Sequence, residues 1–339
     1  MKRNLLALAV GVAFILPAQA APTVYGRLNL SVDYMDKDTG VVGVDGKVWE
    51  LNSNASRVGV KGNEKLTDEL TAVYKVEWDV KGDMGGADLA ARERYIGLKH
   101  YQWGTVRLGH IDSPFKNAED SVDVFNDMTH LDMGKFLYGQ NRLANSINYV
   151  SPKFLDVFGA NLTLQPGEAS PAASNENHLA DAISLALSYE DDSLYLSAAM
   201  DKEVMDARTS TDMDAMRFIA RYSISDVTVS AMFQTAEPTM MMGMGSKDQE
   251  QSLVLSGSYK MDKVTVRGEI LSVTQDYVGG GMDDETMLIG VGVDYNLTQS
   301  TKAFANLASS TMDKNMGAAS TSVDAPRFWY GNTLLIIKI

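Results

Sequence analysis

The sequence predicts an all-β fold: a closed, antiparallel transmembrane β-barrel of about sixteen strands, with short turns at one end and long loops at the other. Three observations predict it. The chain opens with an export signal, its hydrophobicity repeats every second residue, and its connections alternate between tight and long.

The signal comes first because it decides the compartment in which the rest is read. Lys2 and Arg3 precede an apolar run from Leu5 to Leu16, followed by Pro17 and the small-residue site Ala18-Gln19-Ala20. Cleavage is expected after Ala20, so residues 1–20 form a signal peptide and 21–339 the barrel domain. The run is shorter than the roughly 18 to 20 apolar residues that cross a bilayer. An exported chain without cysteine has no disulfides and needs an extensive hydrogen-bonded or packed structure instead. The formal charge is -14, and removing Lys2 and Arg3 makes the mature part more negative still, which argues against nucleic acid as a partner. No later segment reads as a spanning apolar helix, so a chain that crosses the membrane must do so as a closed barrel.

The strands follow from a period of two. Ala72, Tyr74, Val76, Trp78 and Val80 share one face, and Lys75, Glu77 and Asp79 the other. The same division recurs in Val264, Val266, Gly268 and Ile270 against Thr265, Arg267 and Glu269. It recurs again in Phe218, Ala220 and Tyr222 against Arg217 and Arg221, and in Ile289, Val291, Val293 and Tyr295 against Gly290, Gly292 and Asp294. A soluble sandwich would alternate too. The connections separate the two: tight turns near 65–68, 101–104, 151–156, 191–193, 223–226, 261–263 and 297–300 alternate with long polar loops near 35–46, 81–90, 113–140, 166–178, 201–213, 236–248, 276–284 and 312–325. Short on one side and long on the other is the pattern of an outer-membrane barrel. Tyr149, Tyr189, Tyr222, Tyr259 and Tyr295 all precede tight turns, as an aromatic girdle at one headgroup level requires.

Several stretches resemble the trimeric general porins of Gram-negative outer membranes. They are Val24-Tyr25-Gly26-Arg27-Leu28, Ser56-Arg57-Val58-Gly59-Val60-Lys61-Gly62, Tyr95-Ile96-Gly97-Leu98-Lys99, Gly104-Thr105-Val106-Arg107-Leu108-Gly109 and Asn141-Arg142-Leu143-Ala144-Asn145-Ser146-Ile147-Asn148-Tyr149. The resemblance runs over essentially the whole mature chain. It implies a homotrimer of sixteen-stranded barrels in the cell outer membrane, passing small hydrophilic solutes and ions, with the third long loop folded into each lumen. That loop, 113–140, is the longest and is acidic. The resemblance places Asp123 and Asp127 on its edge of the constriction, with Arg57, Arg92 and Arg142 on the opposite wall. Carboxylates facing guanidiniums across a narrow aqueous opening would create a transverse field that orders water and disfavours apolar solutes. Period two independently turns Arg57 inward, with Ser56, Val58 and Val60 on the other face, and Arg142 likewise. For Arg92 it does not, because Ile96 and Leu98 share its parity. Arg27, Lys75, Glu77 and Arg107, with Asp79, Arg217, Arg221, Arg267 and Glu269, are further inward charges of mixed sign. Glu93 and Lys99 look misplaced on a lipid face and are read as a subunit interface. The family also implies a terminal aromatic residue, where this chain has Ile339.

Other functions find little support. His100, His110, His130 and His178 are dispersed, neither His-Glu-x-x-His nor Gly-x-Ser-x-Gly occurs, and a cysteine nucleophile is impossible. No catalytic residue, cofactor or metal site is therefore expected. Loop carboxylates facing lipopolysaccharide lack the spacing of a calcium site. A surface adhesin or receptor would call for aromatic-rich outer loops, whereas 237–245 is methionine-rich. A sugar-selective channel would call for an aromatic ladder, and an anion-specific one for a nearly all-basic lumen; neither pattern is present.

Overall fold

The computed structural model describes residues 21–37, 46–85, 89–168, 178–240, 243, 246–279, 283–314 and 328–338. The predicted signal peptide, Ile339, and Met241, Met242 and Met244 lie outside the described residues. Strand segments β1 (Thr23–Lys37), β2 (Lys47–Ser53), β3 (Arg57–Lys65), β4 (Leu70–Val80), β5 (Leu89–His100) and β6 (Gly104–Asp112) precede the long third loop. After it come β7 (Arg142–Val150), β8 (Phe158–Gln165), β9 (Ala182–Glu190), β10 (Leu194–Met205), β11 (Asp212–Ile224) and β12 (Val227–Pro238). The last five are β13 (Lys247–Met261), β14 (Val264–Tyr277), β15 (Asp283–Asn296), β16 (Thr301–Lys314) and β17 (Phe328–Lys338).

Both β2 and β3 pair with β1, the first through Leu30↔Ser53 to Asp36↔Lys47 and the second through Thr23↔Lys61 to Arg27↔Arg57. They are two halves of one wall strand, broken at 54–56 where Ala55 takes a left-handed φ of 47°. The seventeen segments of the described residues thus make sixteen wall positions. Every neighbouring pair is antiparallel, and β17 returns to β1 from Arg27↔Lys338 to Lys37↔Phe328, so no strand is left with an open edge.

The outward face is apolar, as the period-two reading requires. Ile96, Leu108, Phe218, Val229, Leu253, Ile270, Ile289 and Val291 are exposed, and Tyr149, Tyr222, Tyr259 and Tyr295 stand exposed at the turn end. Inside, the wall divides. From β1 to β7 it is mostly polar, Met35 apart, but from β11 to β16 it carries Ile219, Met232, Val254, Leu271, Val273, Leu288 and Phe304, all buried. These pack against Phe115, Val122, Phe125, Met128, Leu131, Met133 and Leu137 of the third loop in one apolar cluster. Gly290 and Gly292 provide the socket for Phe125: a Cβ at either would stand 2.8 or 2.9 Å from its ring.

Candidate constriction site

The third loop, residues 113–141, leaves β6 through a short helix, α1 (Pro114–Asn117). Proline begins the helix, and Ser113 caps it by accepting the Lys116 N–H at 3.0 Å. The loop then crosses the lumen and is fixed to the far wall. Arg217, with no exposed surface, donates to Phe115 O (3.1 Å), Tyr138 O (3.0 Å), Gln234 Oε1 (2.9 Å) and Glu119 Oε2 (3.3 Å), tying both ends of the loop to β11 and β12. Its guanidinium also lies over the Phe115 ring, 4.3 Å from the centroid. Arg267 donates to Val124 O at 2.6 Å, Glu269 accepts from Val124 N at 3.2 Å, and Ser256 donates to Val122 O at 2.5 Å. Arg217, Arg267 and Glu269, read from sequence as pore charges, are instead loop fasteners.

The other edge of the loop meets the β1–β7 wall. Asp127, with a left-handed φ of 70° that Asp tolerates, accepts from Arg27 (2.5 Å) and Arg57 (2.9 Å). Burial pushes its carboxyl up, but the neighbouring Arg57 and Arg27 outweigh that and hold it below the usual carboxylate range. This double ion pair bridges the lumen where a gap was expected. The opening lies beside it, in two cavities. One of about 420 Å³ faces the loop end and is bordered by Asp79, Lys81, Asp83 and Lys135; one of about 220 Å³ holds Arg57, Asp112 and Asp120. Both are lined by Arg92, Lys116, Asn126 and Asp127, and these four residues define the eyelet between them.

Asp123 is a correction. It is 5% exposed and its carboxylate accepts from Phe125 N (2.8 Å) and Met133 N (3.0 Å), folding the loop on itself and facing away from the opening. Burial, then the adjacent Glu269, push its carboxyl well above the ordinary range. Glu119 is likewise buried and is pushed up to about 7 by burial, against the pull of Arg217. Asp123 is thus withdrawn from the lumen, whereas Glu119, though buried, still borders the smaller cavity. Ser56, expected outward, is buried and accepts from Asn29 N at 2.9 Å.

Arg92 reaches the lumen by a device the period-two reading could not see. A register shift between Val76 and Trp78 sets Arg92 and Glu93 together against the β4 edge, and both point inward. Arg92 Nε meets Glu77 Oε1 at 2.6 Å, while Lys75 Nζ meets Glu93 Oε2 at 2.5 Å. Tyr25 donates to Glu77 at 2.7 Å. Glu93 therefore belongs to the lumen and does not mark a subunit interface; Lys99 stands opposite Thr71, in the same parity as inward Lys75. The charge that does face outward on β5 is Arg94, exposed and opposite Val76 and His110. Arg142 approaches Asp112 at 2.7 Å, and Arg107, away from the eyelet, donates to Asn148 at 2.9 Å and covers the Tyr95 ring. The sequence reading missed Lys116. Its nearest carboxylate is Asp112 at 3.4 Å, and strand parity gives no signal for it because it lies in the third loop and not on a strand. Among the described residues no group of His, Cys, Asp and Glu has the arrangement of a metal site.

Comparison with known proteins agrees with the barrel fold. A family profile described as Gram-negative porin matches residues 6–315. The chain is 26% identical over 341 residues to a major outer membrane protein P.IB of Neisseria sicca, covering 90% of this chain and 93% of that one. An anion-selective porin from Comamonas acidovorans superposes with a TM-score of 0.74 at 19% identity, covering 94% of this chain and 100% of the other. The trimer form of OmpT from Vibrio cholerae gives 0.67 at 18% identity, covering 94% and 99%.

Proposed function

Because the chain belongs to the Gram-negative porin family, a family of outer-membrane channels, we propose that this channel for passive diffusion of small hydrophilic solutes and ions is controlled at the Arg92, Lys116, Asn126 and Asp127 eyelet and favours anions there. The observation that carries the reading is how the eyelet's ion pairs are shared. Asp127 serves both Arg27 and Arg57, and Asp112 serves both Arg142 and Lys116. Each carboxylate thus leaves one cation uncompensated. Arg92 and Lys75 are matched by Glu77 and Glu93. At the eyelet itself two cations, Arg92 and Lys116, stand against one carboxylate, Asp127, although the cavities on either side are lined by at least as many acids as cations and the chain as a whole is acidic. A low-dielectric wall focuses that field on the water path, and guanidiniums keep their charge at any relevant pH. The transverse field expected from sequence is short-circuited where Asp127 meets Arg27 and Arg57.

The same reading takes 1–20 as a cleaved signal peptide and the outward apolar face as the surface for outer-membrane lipid and lipopolysaccharide. It takes the working unit to be a homotrimer, as in the trimer form of OmpT. Arg94 supports this: a guanidinium midway along an outward strand face costs about 2–4 kcal/mol against lipid, a cost that a subunit contact relieves.

Single-channel conductance in planar bilayers under a potassium chloride gradient tests the proposal. The wild type is expected to open in triplet steps with chloride preferred, and Asp127→Asn, by releasing Arg27 and Arg57, to strengthen that preference. A correctly folded barrel that conducts nothing would refute the channel reading.

A further inference from the structure

We infer that Lys116 is the residue on which anion preference turns, acting as a loop-borne cation against which small carboxylates and phosphates make their contact in passing the eyelet; this deepens the proposed anion-favouring channel and rests on it.

The eyelet's cations differ in how far their charge is already spent. Arg27 and Arg57 are held on Asp127 at 2.5 and 2.9 Å, Arg92 on Glu77 at 2.6 Å, and Arg142 on Asp112 at 2.7 Å. Lys116 has only Asp112, at 3.4 Å, and that carboxylate is already held closer by Arg142. Of these five, its ammonium is the least committed, and an ammonium has three donors to offer. Position reinforces this. Lys116 lines both cavities, so a solute passing from one to the other passes beside it, whereas Lys135 borders only the cavity toward the loop end. The backbone beneath it is fixed: Ser113 caps α1, and Phe115 is pinned through its N–H to Ser184 Oγ at 3.1 Å and through its carbonyl to Arg217. The charge is therefore carried on a seated loop. Oxygen anions suit the place, because Asn126 offers an exposed amide beside Lys116 and the Arg92 guanidinium lines the facing side.

The size of the effect follows from distance. A unit charge about 5 Å from the path, acting through water at about 0.1 M salt, changes the local concentration of a monovalent ion by about twofold, in opposite directions for the two signs. The chloride-to-potassium permeability ratio should therefore fall about fourfold when the charge is removed.

The test is reversal potential under a potassium chloride gradient for wild type, Lys116→Gln and Lys135→Gln, with inorganic phosphate added at millimolar concentration as a blocker of the chloride current. The expected result is a chloride-preferring wild type, a ratio about fourfold lower in Lys116→Gln with weaker phosphate block, and little change in Lys135→Gln. A chloride-preferring wild type whose ratio and phosphate block are the same in Lys116→Gln would overturn the role of Lys116 alone. A potassium-preferring wild type would overturn the anion reading of the channel, and this inference with it. Channel counts and unit conductance in the same records show whether each variant has folded and inserted.

Discussion

Arg217→Met separates the loop from its anchor without opening a large hole. Methionine keeps much of the stem volume but removes every donor, so Phe115 O, Tyr138 O and Gln234 Oε1 each lose a partner in a site with no exposed surface. Breaking one side of a buried, hydrogen-bonded pair costs about 3–5 kcal/mol, and an orphaned acceptor such as Phe115 O about 1–3 kcal/mol, whereas Tyr138 O keeps Gln234 Nε2 as a donor at 3.0 Å. The apolar anchors of the loop's middle, Val122, Phe125, Met128, Leu131 and Met133, act against release, since burying each is worth about 1.5–3 kcal/mol. Their sum exceeds the loss, so the middle of the loop stays seated while its two ends fray around 115 and 138. The frayed state gains about two to three powers of ten in population. The barrel is held by its own strand pairing and should keep its heat stability. The expected phenotype is near-normal unit conductance with greater open-channel noise, and new proteolytic cuts near 115–121 in detergent-solubilised protein. Wild-type noise together with wild-type protease resistance in Arg217→Met would show that the four hydrogen bonds do not hold the loop.

Loop docking should also depend on pH through Glu119. Its docked value, about 7, lies above the ordinary 4.5, so protonation favours the docked loop. That stability is fully present below about 4.5, is lost as pH rises through about 7, and is constant above it, a change of about 3 kcal/mol. Protease protection of the loop measured from pH 4.5 to 8 should fall in the wild type and stay flat in Glu119→Gln; a flat wild-type profile refutes it. For Arg94→Leu, semi-native electrophoresis should show trimers dissociating at lower temperature, whereas an arginine facing lipid predicts the reverse, a barrel stabilised by losing a charge that costs about 2–4 kcal/mol.

The barrel was legible because lipid enforces its rule on every strand: the outward face must be apolar, and Tyr74, Val76 and Trp78 or Ile289, Val291 and Val293 obey it. Hairpin ends were legible for the same reason, since Lys260, Asp262 and Lys263 or Asp191 and Asp192 can sit only in water. Arg92 was not, because one extra residue at the Val76–Trp78 shift reverses parity and nothing in Arg92-Glu93-Arg94 announces it. The apolar seat of the loop did leave a signal. In Leu253-Val254-Leu255 and Met287-Leu288-Ile289 both parities are apolar, which a strand with lipid on one side and water on the other does not need. Read that way, β13 and β15 already say that something other than water lies against their inner face. Asp123 could not be placed from sequence, because an acid that accepts backbone N–H groups within its own loop looks the same as one facing a pore.

Net charge misleads about selectivity for a reason of range. Much of the acidity sits toward the loop end of the barrel, at Asp283, Asp284 and Glu285 at the start of β15 for example, or is buried within the third loop at Glu119 and Asp123. At about 0.1 M salt a charge more than about 10 Å from the path is largely screened, so the groups lining the two cavities dominate, and at the eyelet between them Arg92 and Lys116 outnumber Asp127. At about 0.01 M the screening length grows to about 30 Å, and the loop acids begin to repel anions at the entrance. Anion preference should therefore weaken as the salt on both sides is diluted at a fixed concentration ratio. Glu285→Gln together with Asp283→Asn and Asp284→Asn should remove that dependence without altering the ratio at high salt. A preference that does not change between the two salt regimes would mean that the outer acids lie beyond electrical reach of the path, and that the eyelet sets selectivity under all conditions.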